Sequence, residues 1–436
     1  MKRKSILVLA YSISPVRGSE YSVGWNYVKE MSLSNDLIVL YGLAGDHMGD
    51  VAEVDDAAIC QSMHNVRFIA VQPTLIINLL NAFNRKGILV YTFYLAYRLW
   101  HKQAYEVARK IIENQSVDLI HYLCPIGFRE PGYLWKLNRP YIWGPIGGVK
   151  NRPFKIMLQK NISSGVKAVL YNIVNSLQFR LSPRVKSALI RTDLLLASTS
   201  ETKRLIHDVH GIESVHLPEN AITSEMLCNQ RLVKILPGEC VNILWVGSID
   251  ERKSLDILLS ALSLVKNFNW HLYVVGTGPL VEDCIVLSKR FDLGNKITWA
   301  GRVSRDAVNV YYGKSHLFAI TSMSEANTTV IWEAMSFGIP TITLDHCGMH
   351  DTVCDKCGIR IQLVSLDDTI RSYAANLDQL ISNPELITEL SRGVLECSKR
   401  FSWEQRRVDW NNYYDTAIAN WLNRQHLGAA HDAQNA

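Results

Sequence analysis

Residues 321–343 read TSMSEANTTVIWEAMSFGIPTIT and follow an apolar run from His316 to Ile320. The run has the length of a buried strand. The polar segment after it reads as a loop ending at Glu325. From about Thr328 the pattern turns helical, carries Glu333, and stops at Gly338-Ile339-Pro340, where a new strand begins. A strand-loop-helix-strand unit of this kind belongs to a doubly wound α/β domain. Its helix N-terminus presents unpaired N–H groups and the positive end of the helix dipole to the crevice at the carboxyl ends of the strands, which suits a phosphate. Thr328 and Thr329 add hydroxyls there. Glu333 lies one to two turns further on, so two carboxylates can flank one short ligand. Taken singly, each Glu also fits a plainer role, complementing the dipole or facing solvent.

Two Glu with seven residues between them, followed by Ala-Met-Ser-Phe-Gly-Ile-Pro-Thr-Ile, resemble the donor-site motif of the retaining glycosyltransferases of family four. The resemblance implies a GT-B fold: two Rossmann-like doubly wound domains facing across a cleft, with a C-terminal helix crossing back to the first. It also implies that Glu325 meets the hydroxyls of a donor sugar and Glu333 the ribose of its nucleotide, with Asn327, Thr328 and Thr329 beside them. The Phe-Gly pair that many members carry after the first Glu is here Ala326-Asn327, so the motif leaves the sugar open.

The same family's phosphate loop is matched by Val-Gly-Ser-Ile-Asp-Glu-Arg-Lys-Ser at 246–254, after a strand at 241–246. Lys253 keeps the family's Lys, and Ser248 stands where an Arg is usual. Arg252 or Arg17 is expected to compensate. A Lys at a helix start opposes the dipole, which favours a functional reading of Lys253 over a solvated one. Gly276 and Gly278 form a turn that admits a base, although turn chemistry alone explains both. Arg302 and Val303 match the place where the family holds the base.

In the N-terminal half, Ser5–Ala10 reads as the first strand, and Arg17-Gly18-Ser19-Glu20 resembles the family's N-terminal glycine loop, with Gly18 and Ser19 near a diphosphate and Arg17 placing charge on it. A strand at 117–122 delivers His121 to a carboxyl end, and Trp143-Gly-Pro-Ile-Gly147-Gly148 follows the next. The resemblance places His121 in the reaction cleft, as a sugar-binding rather than nucleophilic group, and Trp143, Gly147 and Gly148 on the acceptor side. A core His is the competing reading, and a two-residue shift would pass the role to Leu123.

The chain of 436 residues suits two domains, expected at 1–222 and 241–400, with a linker at 223–240, a returning helix at 401–424 and a tail at 425–436. Lys and Arg number 46 against 41 Asp and Glu, a net charge of +5, too slight for a nucleic-acid protein. Nine scattered Cys and no disulfide spacing fit a reduced, cytoplasmic chain. Neither a signal peptide nor a membrane span is expected. The apolar, basic stretches at 88–100 and 150–191 read as helices, buried or solvated, and as candidates for peripheral contact with anionic lipid. His346, Cys347, His350, Cys354 and Cys357 have loose metal-ligand spacing, a weak signal without a second Cys pair. No metal and no cofactor is expected.

The function that follows is sugar transfer, with retention, from a nucleoside diphosphate sugar to an acceptor hydroxyl. The expected setting is bacterial cell-surface polysaccharide synthesis (O-antigen, capsule or exopolysaccharide) on a lipid-linked acceptor. A nucleotide-sugar epimerase and a catalytically weakened binding subunit of a polysaccharide assembly complex are the alternatives. Conversion of donor alone would mark the first, and donor binding without turnover the second.

Overall fold

The computed structural model describes residues 3–17, 20–42, 63–86, 88–89, 92–326 and 328–434. Gly18, Ser19 and Asn327, expected at the donor site, lie outside them. The chain divides into two units, one of residues 1–150, 175–219 and 406–436, the other of residues 151–174 and 220–405.

The first unit is built on a parallel sheet in the order β3-β2-β1-β4-β5-β6-β7. Its strands are β1 (Ser5–Ala10), β2 (Asp36–Gly42), β3 (Val66–Val71), β4 (Leu119–Cys124), β5 (Tyr141–Ile146), β6 (Leu194–Ala197) and β7 (Val215–His216). The inner strands are apolar and buried along nearly their whole length because helices cover both faces. Strand order reverses between β1 and β4. The C-terminal helix Trp403–Gln434 joins this unit from Arg406 onward, as the sequence implies. Arg407 pairs with Glu30 at 2.8 Å, Arg424 with Asp193 at 2.9 Å, and Trp410 and Tyr414 are buried.

The second unit holds β8 (Val241–Val246), β9 (Trp270–Val275), β10 (Ile297–Gly301), β11 (Leu317–Ile320), β12 (Thr341–Leu344) and β13 (Gly358–Ile361), parallel in the order β10-β9-β8-β11-β12-β13. Its switch falls between β8 and β11. The residues expected to form a linker are part of this unit: Val233 is buried in its core, with its amide donating to Ser391 Oγ at 2.9 Å. Residues 151–174, expected with the first domain, also group here. Lys160 explains part of this, reaching Ser254 Oγ and Asp256, each at 2.8 Å.

Among the described residues no helix is long and apolar enough to cross a membrane. The helix Leu75–Arg85 in the first unit is nevertheless turned unusually. Asn81 and Asn84 face inward with Ile77, while Leu75, Ile76, Leu79 and Phe83 are exposed. In the stretch at 88–100, Phe93, Ala96, Tyr97 and Trp100 are buried, whereas Ile88, Leu89, Tyr94 and Leu95 extend the outward apolar surface.

Candidate functional site

The loops after β8 and β11 meet at the switch of the second unit. After β8 the chain turns at Gly247 and runs to the helix Leu255–Leu262. Asp250 Oδ1 accepts from the Lys253 amide at 2.9 Å, and Ser254, although not glycine, adopts a left-handed conformation with φ 49°. Such a backbone persists only where its surroundings hold it. Here Ser254 Oγ donates to Glu251 O at 2.7 Å and accepts from Lys160. The loop after β11 is fastened to this one: the Met323 amide donates to Arg252 O at 2.7 Å, and Thr321 Oγ1 donates to Lys253 O at 3.0 Å.

These bonds bring Lys253 and Glu325 together. Lys253 Nζ lies 2.7 Å from Glu325 Oε1 and 3.3 Å from Thr328 Oγ1, and Arg252 also pairs with Glu325. Lys253 and Glu325 are nearly buried and Arg252 is half exposed. Thr328 is the N-cap of the helix Thr329–Ser336, and Glu333 on that helix accepts from the buried Tyr312 hydroxyl at 2.9 Å. Two cations, a hydroxyl and a helix N-terminus thus converge at the strand switch, where open α/β sheets bind ligands. The group can hold a dianion, and Glu325 can accept from ligand hydroxyls once its cations turn to that anion. A cavity lined by Asp250, Arg252, Pro279, Met323 and Ser324 adjoins the pair.

Ser248 is exposed on the loop and Arg252 reaches its neighbour Glu325, while Arg17 lies in the first unit. Gly276 and Gly278 have a packing reason of their own. Gly276 has φ +141°, and a Cβ there would stand 1.8 Å from Gly247 O; one on Gly278 would stand 2.4 Å from Ile249 O. The β9 turn therefore lies directly on the β8 loop, with the Ile249 amide donating to Thr277 O at 3.0 Å. Arg302 is exposed and Val303 partly so, beyond the end of β10.

Two supports escape the sequence reading. His346 follows β12, is almost fully buried, and its Nε2–H donates to Met323 O at 2.6 Å, bracing the loop that carries Glu325. Lys160 braces the loop that carries Lys253. His346 stands out in sequence only as a loose metal-spacing residue, and Lys160 only as one of a basic run. Their partners lie 23 and more than 90 residues away.

In the first unit His121 departs from expectation. Strand β4 starts at Leu119, because Leu119 pairs with Ile6 of β1, and so runs two residues later than the reading of 117–122. His121 therefore sits in mid-strand and is fully buried, rather than lining a cleft. Its Nε2–H donates to Gly144 O at 2.9 Å, and Nδ1 faces the hydroxyls of Tyr27 and Tyr414 at 3.1 and 3.2 Å. Burial lowers its pKa to about 4, so the ring is neutral. Leu123, the alternative, is buried too. Trp143, expected toward an acceptor, is a core residue stacked parallel to Tyr122. Gly147 is buried against Ile126 and Ser198, and Gly148 is exposed at the end of β5. Arg17 follows the loop after β1, its amide donating to Ser14 Oγ at 3.1 Å and its guanidinium over Tyr21.

Residues 233–394 match the family model of glycosyl transferases group 1. An uncharacterized glycosyltransferase of Haemophilus influenzae is 28% identical over 188 residues, 42% of this chain and 51% of that protein. The chain thus aligns with about half the length of that relative. Among solved structures, the apo form of the lipopolysaccharide outer core galactosyltransferase WaaB superposes with a TM-score of 0.61 at 15% identity, over 97% of this chain and 99% of that one. Anabaena Alr3699/HepE in complex with UDP superposes with a TM-score of 0.59 at 13% identity, over 94% and 100%. These likenesses show the fold, which is GT-B.

Proposed function

We propose that this chain, whose residues 233–394 carry the match to glycosyl transferases group 1, is a retaining glycosyltransferase using a nucleoside diphosphate sugar. The observation that carries the reading is the convergence of Lys253, Arg252 and Thr328 on Glu325 at the strand switch. Lys253, Arg252 and the N-terminus of the helix Thr329–Ser336 hold the diphosphate. As the glycosidic bond breaks, negative charge grows on that leaving group, and fixed positive charge stabilises the transition state more than the ground state. Glu325 takes the sugar hydroxyls and Glu333 the ribose, with Ser248, Gly276, Gly278, Arg302, Val303 and Thr329 forming the rest of the donor pocket. Positive charge from the protein replaces that of a metal, so donor binding is expected to persist in EDTA.

The acceptor in this reading is a lipid-linked saccharide of cell-surface polysaccharide synthesis, at the cytoplasmic face of a membrane. The outward side chains Leu75, Ile76, Leu79 and Phe83, followed by Arg85 and Lys86, support peripheral contact with anionic lipid. A likeness in fold to a lipopolysaccharide galactosyltransferase agrees with that setting.

The test is a binding panel of nucleoside diphosphates and their sugars, followed by transfer to lipid-linked acceptors with product anomer analysis. Binding of one nucleotide sugar and an α-linked product from an α-linked donor are expected. No binding of any member, or an inverted product, refutes the reading. Conversion of donor without acceptor points to an epimerase, and binding with no turnover to a weakened subunit.

A further inference from the structure

Away from the strand switch, three thiols converge at the amino-terminal end of β13. Cys354 and Cys357 occupy the turn before that strand, and Cys397 ends the helix Pro384–Cys397. Cys354 Sγ is 3.6 Å from Cys357 Sγ and 3.4 Å from Cys397 Sγ, and all three sulfurs lie within 4.8 Å of one another.

The turn is shaped around sulfur. The Cys354 amide donates to Cys357 Sγ at 3.2 Å. The Cys357 and Gly358 amides also close the turn on Cys354 O, at 2.9 and 3.1 Å. The helix approaches so closely that a Cβ on Gly393 would stand 1.7 Å from Lys356 O. On the far side Arg400 Nη2 donates to Cys397 Sγ at 3.3 Å. The sulfurs are too far apart for a disulfide bond, about 2.05 Å. They are close to the spacing on a tetrahedral ion with metal–sulfur bonds of about 2.3 Å, whose ligands stand roughly 3.75 Å apart.

We propose that Cys354, Cys357 and Cys397 form a three-thiolate site for a thiophilic divalent cation of the zinc type. Solvent supplies the fourth ligand on the partly exposed side of Cys354. Binding makes three metal–sulfur bonds and releases the three thiol protons to solvent, with no change of oxidation state. Charge balances: three thiolates against a dication leave one negative charge, and Arg400 neutralises it. Because the turn precedes β13, the ion sits at the opposite end of the sheet from Lys253 and Glu325. It ties the edge strand to the helix Pro384–Cys397 and takes no part in chemistry at the switch. The sequence pattern pointed to the wrong partners for Cys354 and Cys357. His346 is engaged by Met323 O, and His350 Nδ1 lies 2.5 Å from Asp345, so the third ligand is Cys397.

The test is anaerobic titration of the reduced, metal-stripped full chain with Co2+. The expected result is a thiolate-to-cobalt charge-transfer band that saturates at one equivalent and is abolished by Zn2+. The band should be lost in Cys354→Ser, Cys357→Ser and Cys397→Ser and kept in Cys228→Ser, whose thiol is exposed elsewhere. Circular dichroism of each variant checks folding, and the wild-type titration decides the matter even if a variant fails to fold. Absence of the band while the thiols react as reduced overturns the proposal. So does a band that survives Cys397→Ser, or isolation of these cysteines as a disulfide with no cobalt binding after reduction.

Discussion

Replacing Lys253 by Ala removes the more buried of the two cations that pair with Glu325 at the strand switch. A charge-assisted hydrogen bond to phosphate contributes about 1.5–3 kcal/mol. Part of that is offset because Lys253 must first give up Glu325, 2.7 Å away, which leaves a net loss of about 2 kcal/mol, or roughly 30-fold in nucleoside diphosphate affinity. Glu325→Ala acts with the opposite sign on the bare nucleotide. It frees Lys253 and Arg252 and removes a negative charge some 6 Å from a bound phosphate, for a gain of about 1 kcal/mol, or roughly fivefold, between the limits of bulk and protein dielectric. The same variant loses the acceptor for sugar hydroxyls, so it should bind the nucleotide sugar no better than the free nucleotide. Calorimetric titration with the nucleoside diphosphate and the nucleotide sugar that bind best in the panel, in EDTA, reads all four quantities. Equal weakening of nucleoside diphosphate binding by both variants would refute the assignment of Glu325 to the sugar. A change below about threefold in Lys253→Ala, with the protein folded, would refute the diphosphate role of Lys253.

Three further outcomes follow from the geometry. Gly276→Ala forces a Cβ to 1.8 Å from Gly247 O at a backbone angle alanine avoids, and should lower unfolding free energy by about 3 kcal/mol or more in urea titrations; a loss under about 1 kcal/mol would mean that the β9 turn does not rest on the loop after β8. His121 and His101 are each lowered from 6.5 to about 4 by burial, so the unfolded chain takes up their protons first as pH falls from 6.5 towards 4. Stability is full above pH 6.5 and drops by up to about 3 kcal/mol per histidine across that window. His121→Gln, which keeps a donor for Gly144 O, should fall less steeply with pH than wild type, and parallel curves would contradict a neutral buried His121. Leu79→Glu with Phe83→Glu should cut co-sedimentation with anionic vesicles by more than about tenfold, at some 1–2 kcal/mol for each inserted side chain, while nucleoside diphosphate affinity stays unchanged; unaltered co-sedimentation removes that face from membrane contact.

What the sequence determined by itself is local. Strand-length apolar runs, the turn at Gly338-Ile339-Pro340 and the strand-loop-helix pattern at 316–343 lie within a few residues of one another, and their periodicity follows from backbone geometry alone. They were enough to mark the strands at 241–246 and 316–320 and the loops after them that carry Lys253 and Glu325. Tertiary structure decided what depends on partners distant in the chain. The two-residue shift of β4 is set by pairing with β1, more than 100 residues earlier, and it moved His121 from a strand end into the core. The bracing of Glu325's loop by His346, the hold of Lys160 on Ser254, and the meeting of Cys397 with Cys354 and Cys357 have the same origin. Each joins segments that nothing local connects, and only packing chose among the partners composition allowed.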